Sequence, residues 1–303
     1  MKKKIIFVTA TRADFGKLKS LIKITKKSKK FSVYIIVTGM HMMSKFGSTH
    51  VEINKFFKSN IIKFKNQEFK DNIETILTNT IEKFSEIVKK IKPDLILIHG
   101  DRIESLGCAL VGSLNHTLTA HIEGGEVSGN IDDTIRHAVT KLSHIHFVGN
   151  NKAKKRVLNM GEKRNSVFTI GSPDMDILLS KKLPTIKFVK KNYGIKFKNY
   201  AVLMWHPVTS GVYRLKNDTK KLINFVNYYN QNFVIIYPNN DPGTKIIIES
   251  YKKYGDQFIK HLDGEFAIIL VDFSKDILET YQRFDYYIKT YKTFRTTVIF
   301  SNI

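Results

Sequence analysis

The chain has 303 residues, room for two domains of ordinary size, and a hydrophobic content of 42% that suits a globular protein. Its formal net charge is +23, yet only eight of the 50 basic residues are arginine and the lysines are scattered along the whole chain. That is a lysine-rich solvated surface rather than the clustered cations of a nucleic-acid binder, although it attracts anionic substrates over long range.

No apolar run is long enough to span a bilayer, and a single cysteine, Cys108, excludes an internal disulfide framework. The expectation is a cytoplasmic protein with neither membrane nor nucleic-acid partners. The opening MKKKIIFVTA imitates a signal peptide, but Ile5–Ala10 is short and runs into Arg12 and Asp14; it reads as a first buried strand.

Strand-like runs rich in β-branched residues then alternate with helical patterns, which predicts parallel α/β layers. Strands are expected at Lys4–Thr9, Ser32–Thr38, Asp94–His99, Leu118–Ile122, His144–Val148 and Val167–Ile170. Helices are expected at Phe15–Lys27, Asp71–Lys90, Glu104–Leu114, Asp133–Leu142 and Asn151–Asn159. The segment from Pro173 to Tyr200 reads as a junction. The alternation restarts with strand Tyr200–Trp205, helix Thr219–Tyr229, strand Asn232–Tyr237, helix Thr244–Tyr254 and strand Ala267–Val271. The predicted fold class is α/β, with two doubly wound Rossmann-like domains, 1–175 and 176–303, facing across a cleft.

In such sheets ligands sit beyond the carboxyl ends of the strands, and four charged loops fall there. The first, Thr9–Lys17, lacks the G-x-G-x-x-G turn of dinucleotide folds. It instead sets Arg12 and Lys17 around a helix N-terminus, where an anion is favoured; the plain alternative is a surface Arg and a helix Lys. The second is His99-Gly100-Asp101-Arg102. Here Asp101 is either a carboxylate at the cleft or a helix cap completed by Glu104 in a capping box. The third, His121–Ala138, brings Glu123, Glu126, Asp132 and Asp133 close in sequence behind a buried strand, followed by Arg136 and His137. Carboxylates gathered there repel one another and gain proton affinity on burial, which points to proton transfer or ligand binding. Asp132 and Arg136, spaced i, i+4, share a helix face, though an N-cap and a surface ion pair would use the same residues. The fourth is Trp205-His206-Pro207, whose histidine would face the cleft from the second domain.

His144 and His146 lie on one face of a strand, but no third metal ligand is near them, so they read as core or interface histidines. Cys108, among Leu106, Ala109 and Leu110, reads as a small core residue. Neither a G-x-x-x-x-G-K-[ST] loop nor a G-x-S-x-G elbow occurs.

The segments ATRADFGKL, HGDR, HIEGGEVSGNIDDTIRHAVTKLSH, GSPDMD and HPVT, in this order, resemble the UDP-N-acetylglucosamine 2-epimerase family, above all its hydrolysing branch. The resemblance implies a glycosyltransferase-B-like pair of domains with a nucleotide sugar bound between them, and no cofactor or metal. It also implies that a nucleoside diphosphate leaves C1 as a carboxylate takes the C2 proton, after which water adds to a glycal-type intermediate and frees the C2 epimer. Asp101, Glu123 and Asp132 match the family's catalytic acids, and His206 its histidine from the second domain. Arg12, Lys17 and Arg136 match its basic residues, the first two for the diphosphate and the third for orienting the acids. Arg102 and Glu126 complete the substrate-binding set, and the family suggests a homodimer. From Arg283 onward the tail shows no Ser- and Gly-rich diphosphate loop, so a second domain cut short by truncation or frameshift is expected. A glycosyltransferase of the same architecture, or an inactive homologue, would carry much of the same pattern.

Overall fold

The computed structural model describes residues 1–44, 48–68, 70–129, 131–180 and 183–204. Beyond these it describes 217–218, 221–222, 225, 228, 232–236 and three strands within 266–294. The chain divides into two compact units between Leu183 and Pro184.

The first unit alternates strands and helices in chain order: β1 (Lys3–Thr9), α1 (Arg12–Lys27), β2 (Phe31–Val37), α2 (His50–Phe56), β3 (Ile61–Lys63), α3 (Ile73–Ile91) and β4 (Leu95–His99). These are followed by α4 (Ile103–Leu114), β5 (Leu118–Ile122), α5 (Ile131–Lys141), β6 (Ile145–Val148), α6 (Asn151–Asn159), β7 (Val167–Thr169) and α7 (Asp174–Leu178). The strands form one parallel sheet in the order β3-β2-β1-β4-β5-β6-β7. The order reverses between β1 and β4, and this switch point opens a crevice at the carboxyl edge.

Strands such as IIFV in β1 and LILI in β4 are apolar without alternation because both faces of the sheet are covered. Ile5 and Phe7 pack with Phe15, Leu18 and Ile22 of α1 on one face. Ile6 and Val8 pack with Phe84 and Val88 of α3, Cys108 of α4 and Val139 of α5 on the other. Burying a ring as completely as that of Phe84 is worth roughly 2–3 kcal/mol. Cys108 is a core residue, its thiol pushed up by burial.

Among the elements that the sequence reading misses are two short ones in the first unit. β3 has three residues and ends in lysine, too short for a period to register. α2 has seven and starts without a side-chain cap. The stretch read as a junction holds α7 and α8 (Ile186–Asn192).

In the second unit β8 (Ala201–Met204) and β9 (Phe233–Ile236) pair in parallel. Strands β10 (Phe266–Asp272), β11 (Ile277–Phe284) and β12 (Tyr287–Phe294) form an antiparallel sheet. Their connections are too short for the crossover that parallel pairing needs, and only the first of the three is legible in sequence. The expected helix Thr244–Tyr254 lies outside the described residues, and helix Thr219–Tyr229 is described only in part. Among the described residues no helix is long and apolar enough to cross a membrane.

Candidate functional site

The loop after β1 is fixed by its own polar groups. Thr11 caps α1 and accepts from the Asp14 amide, while Asp14 reaches back in a capping box. The Asp14 carboxylate also accepts from the Ala10 amide at 2.8 Å and the Thr9 hydroxyl at 2.6 Å. Asp14 is thereby buried, Arg12 stands exposed at the first helical position, and Lys17 is carried toward the sheet.

Lys17 Nζ lies 2.5 Å from Glu123 Oε2 and 3.7 Å from Asp174 Oδ2. Burial works against its ammonium charge, but Glu123, Asp174 and Asp101 outweigh burial and raise its pKa.

Glu123 follows directly on β5 with φ +62°, a left-handed backbone that glutamate rarely adopts. Its amide donates to the Phe147 carbonyl at 2.8 Å. Three donors then surround the carboxylate. Lys17 and His99 Nε2, at 2.5 and 3.0 Å, share Oε2, and the Ser172 hydroxyl donates to Oε1 at 2.7 Å. Burial raises the proton affinity of this acid, but the His99 and Lys17 hydrogen bonds and charges overcome it and hold the carboxyl well below the usual range.

Asp101 does not cap α4. The N-cap is Arg102, with no side-chain cap bond, so the capping-box alternative fails. Asp101 Oδ2 instead pairs with Arg136 Nη2 on α5. Glu104 is buried and accepts from Gln67 at 3.1 Å, with Arg102 Nε 3.5 Å away; Arg102 thus leans on the core carboxylate at the helix start.

Arg136 is itself buried and gathers three acceptors: Asp101, Asp133 Oδ1 at 2.7 Å and the Glu126 carbonyl at 3.0 Å. Asp133 ties the turn before α5 by accepting from the amides of Ser128 and Gly129. Burial raises its proton affinity, yet those amides, the Ser128 hydroxyl and Arg136 lower it below the ordinary value. The Glu126 carboxylate turns aside to Asn150 at 2.8 Å. Asp132 stands half-buried in the first turn of α5.

Arg12, Lys17, Asp101, Glu123, Asp132 and Arg136 therefore lie on loops or the first two helical turns beyond β1, β4 and β5, at the switch-point edge. His206 lies outside the described residues. His146 is fully buried against Glu162 at 3.1 Å and serves the core, whereas His144 is exposed, its Nδ1 accepting from the Thr119 amide at 3.2 Å.

The residues that sequence reasoning left without a role are His99, Ser172 and Asp174, together with the anchoring Asp133. His99 and Ser172 stood inside quoted motifs, but their common partner Glu123 is remote in sequence.

A seven-stranded parallel sheet with charged loops converging at its switch point defines a doubly wound α/β protein with a polar ligand site at the strand ends. Residues 23–272 match the family described as UDP-N-acetylglucosamine 2-epimerase, and the chain belongs to that family. It is 42% identical over 270 residues to the UDP-N-acetylglucosamine 2-epimerase of Neisseria meningitidis serogroup B, covering 89% of this chain and 72% of the relative. It is 34% identical over 271 residues to the UDP-N,N'-diacetylbacillosamine 2-epimerase (hydrolyzing) of Legionella pneumophila, covering 86% and 72%. Among solved structures, that of UDP-GlcNAc 2-epimerase from Neisseria meningitidis bound to UDP-GlcNAc aligns with TM-score 0.70 at 19% identity. The alignment spans 85% of this chain and 72% of that one, a likeness of fold.

Proposed function

We propose that the chain is a hydrolysing 2-epimerase, which converts a UDP-N-acetylglucosamine-type nucleotide sugar to N-acetylmannosamine, or a diacetamido analogue, plus nucleoside diphosphate. The observation that carries this reading is the pairing of two acids at the strand ends with cations: Glu123 with Lys17 and Asp101 with Arg136. The reaction needs both signs of charge. The C2 proton is not acidic alone, so its removal is coupled to departure of the diphosphate from C1.

Lys17, with Arg12 at the start of α1, receives the departing phosphates. Glu123, kept ionised, stabilises the positive charge that grows at C1. Asp101 takes the C2 proton: its side chain is 28% exposed against 14% for Glu123, and its described hydrogen bond uses only Oδ2. Arg136 orients that carboxylate, and Asp132 supplies the third acid. Water then adds at C1 of the glycal-type intermediate, and C2 regains a proton on the opposite face. The Legionella relative, named as hydrolysing, supports the final step, and the names of both relatives support the substrate class.

Incubation of UDP-N-acetylglucosamine with the protein in deuterated water should yield UDP and N-acetylmannosamine with deuterium at C2, read by proton NMR. Retention of the original proton at C2 overturns the elimination route, and a glycoside product would indicate a transferase. Asp101→Asn and Glu123→Gln should each lose turnover by roughly 10²–10⁴-fold with circular dichroism unchanged; wild-type rates in both remove the site assignment.

A further inference from the structure

Beyond β7 the chain turns at Gly171, whose φ of +77° suits glycine, and runs back over the site as Ser172, Pro173 and Asp174. Ser172 anchors this turn, its hydroxyl donating to the Glu123 oxygen that neither Lys17 nor His99 uses. Asp174 is thereby set with Oδ2 3.7 Å from Lys17 Nζ, a looser partner than Glu123 at 2.5 Å. One lysine faces two carboxylates.

We propose that Asp174 is an affinity-setting residue, a second carboxylate competing with the diphosphate for Lys17 so that the leaving nucleotide is not held too tightly. The proposal rests on the assignment of Lys17 to the diphosphate made above. The charged and titratable groups around Asp174 are Lys17 from α1, Glu123 from the end of β5 and His99 from the end of β4. Burial raises its proton affinity and Glu123 adds to the rise, while Lys17 and His99 oppose it. An arriving diphosphate meets an ammonium already more than neutralised, and the Asp174 charge repels it at short range. Removing one such charge at a half-solvated site strengthens anion binding roughly three- to tenfold.

The test is UDP binding by calorimetry at pH 7.5 and low salt for the wild type, Asp174→Asn and Asp176→Asn. Asp176 is exposed on the same short helix, so its amide makes the same change in net charge away from Lys17. UDP should bind Asp174→Asn three- to tenfold tighter, bind Asp176→Asn within twofold of the wild type, and lose most of the gain in 0.5 M salt. Affinity in Asp174→Asn equal to or weaker than the wild type overturns the proposal, as does an equal gain in Asp176→Asn. A wild type that binds UDP but releases no free sugar sinks the epimerase reading alone, and one that does not bind UDP sinks both.

Discussion

Two guanidinium nitrogens of Arg136 serve three acceptors from different segments, which no other side chain does in the described part of the site. Arg136→Met would leave Asp101 and Asp133 facing one another without their shared cation. The expected loss is about 3 kcal/mol, at the low end for breaking a buried pair because Asp101 keeps some water; urea denaturation measures it. Arg136→Lys should recover little, since an ammonium cannot span that fork. At Glu123 the left-handed backbone adds a separate cost of about 1 kcal/mol for any residue with a Cβ. Glu123→Gly should therefore be more stable than Glu123→Ala by about that amount, though both lose the carboxylate. The acids themselves were legible, because carboxylates behind a buried strand are unusual wherever they occur. Their partners were legible only where the family resemblance named them, as it did Arg136 for orienting the acids. Ser172 is 49 positions from Glu123 and Arg136 is 35 from Asp101, and local spacing carries no trace of such contacts. That is also why the capping box at Asp101 was a fair local reading and still failed.

At the scale of elements, the sheet was readable because strands covered on both faces advertise themselves as unbroken apolar runs. The turns between them were less so. In the sequence Gly124 and Gly125 simply stand between Glu123 and Glu126. Gly125 has φ +79°, and a Cβ there would lie 2.5 Å from the Ala153 carbonyl oxygen of α6. The glycine is what lets the loop carrying Glu123 and Glu126 lie against that helix. Gly125→Ala should destabilise by about 2 kcal/mol or more and lower turnover by displacing Glu123; thermal melting and product assays on the same preparation separate the two effects.

For the whole molecule, acid sensitivity follows from three histidines kept neutral in the interior. Burial, the leading cause in each case, lowers the pKa of His41, His121 and His146, that of His121 to about 3. The unfolded chain takes up these protons near pH 6.5 while the folded one does not. Stability is therefore complete above that value and falls as pH drops below it, by up to about 1.4 kcal/mol per pH unit for each histidine. Glu123 and Asp133, whose folded carboxyls sit low, add to the loss only below about pH 4. The urea midpoint should fall steadily between pH 7 and 5, and His121→Gln should flatten that slope. The strand order has a last consequence, for how the chain is made. β1 lies inside the sheet, between β2 and β4, with Ile5 registered against Leu95. At ordinary ribosome speeds about 90 residues take roughly 5–20 s to emerge, and for that interval a nascent β1, even when joined to β2, waits with its other side unpaired. Pausing of translation before the codons of β4 would lengthen this wait and lower the soluble yield, whatever the stability of the finished protein.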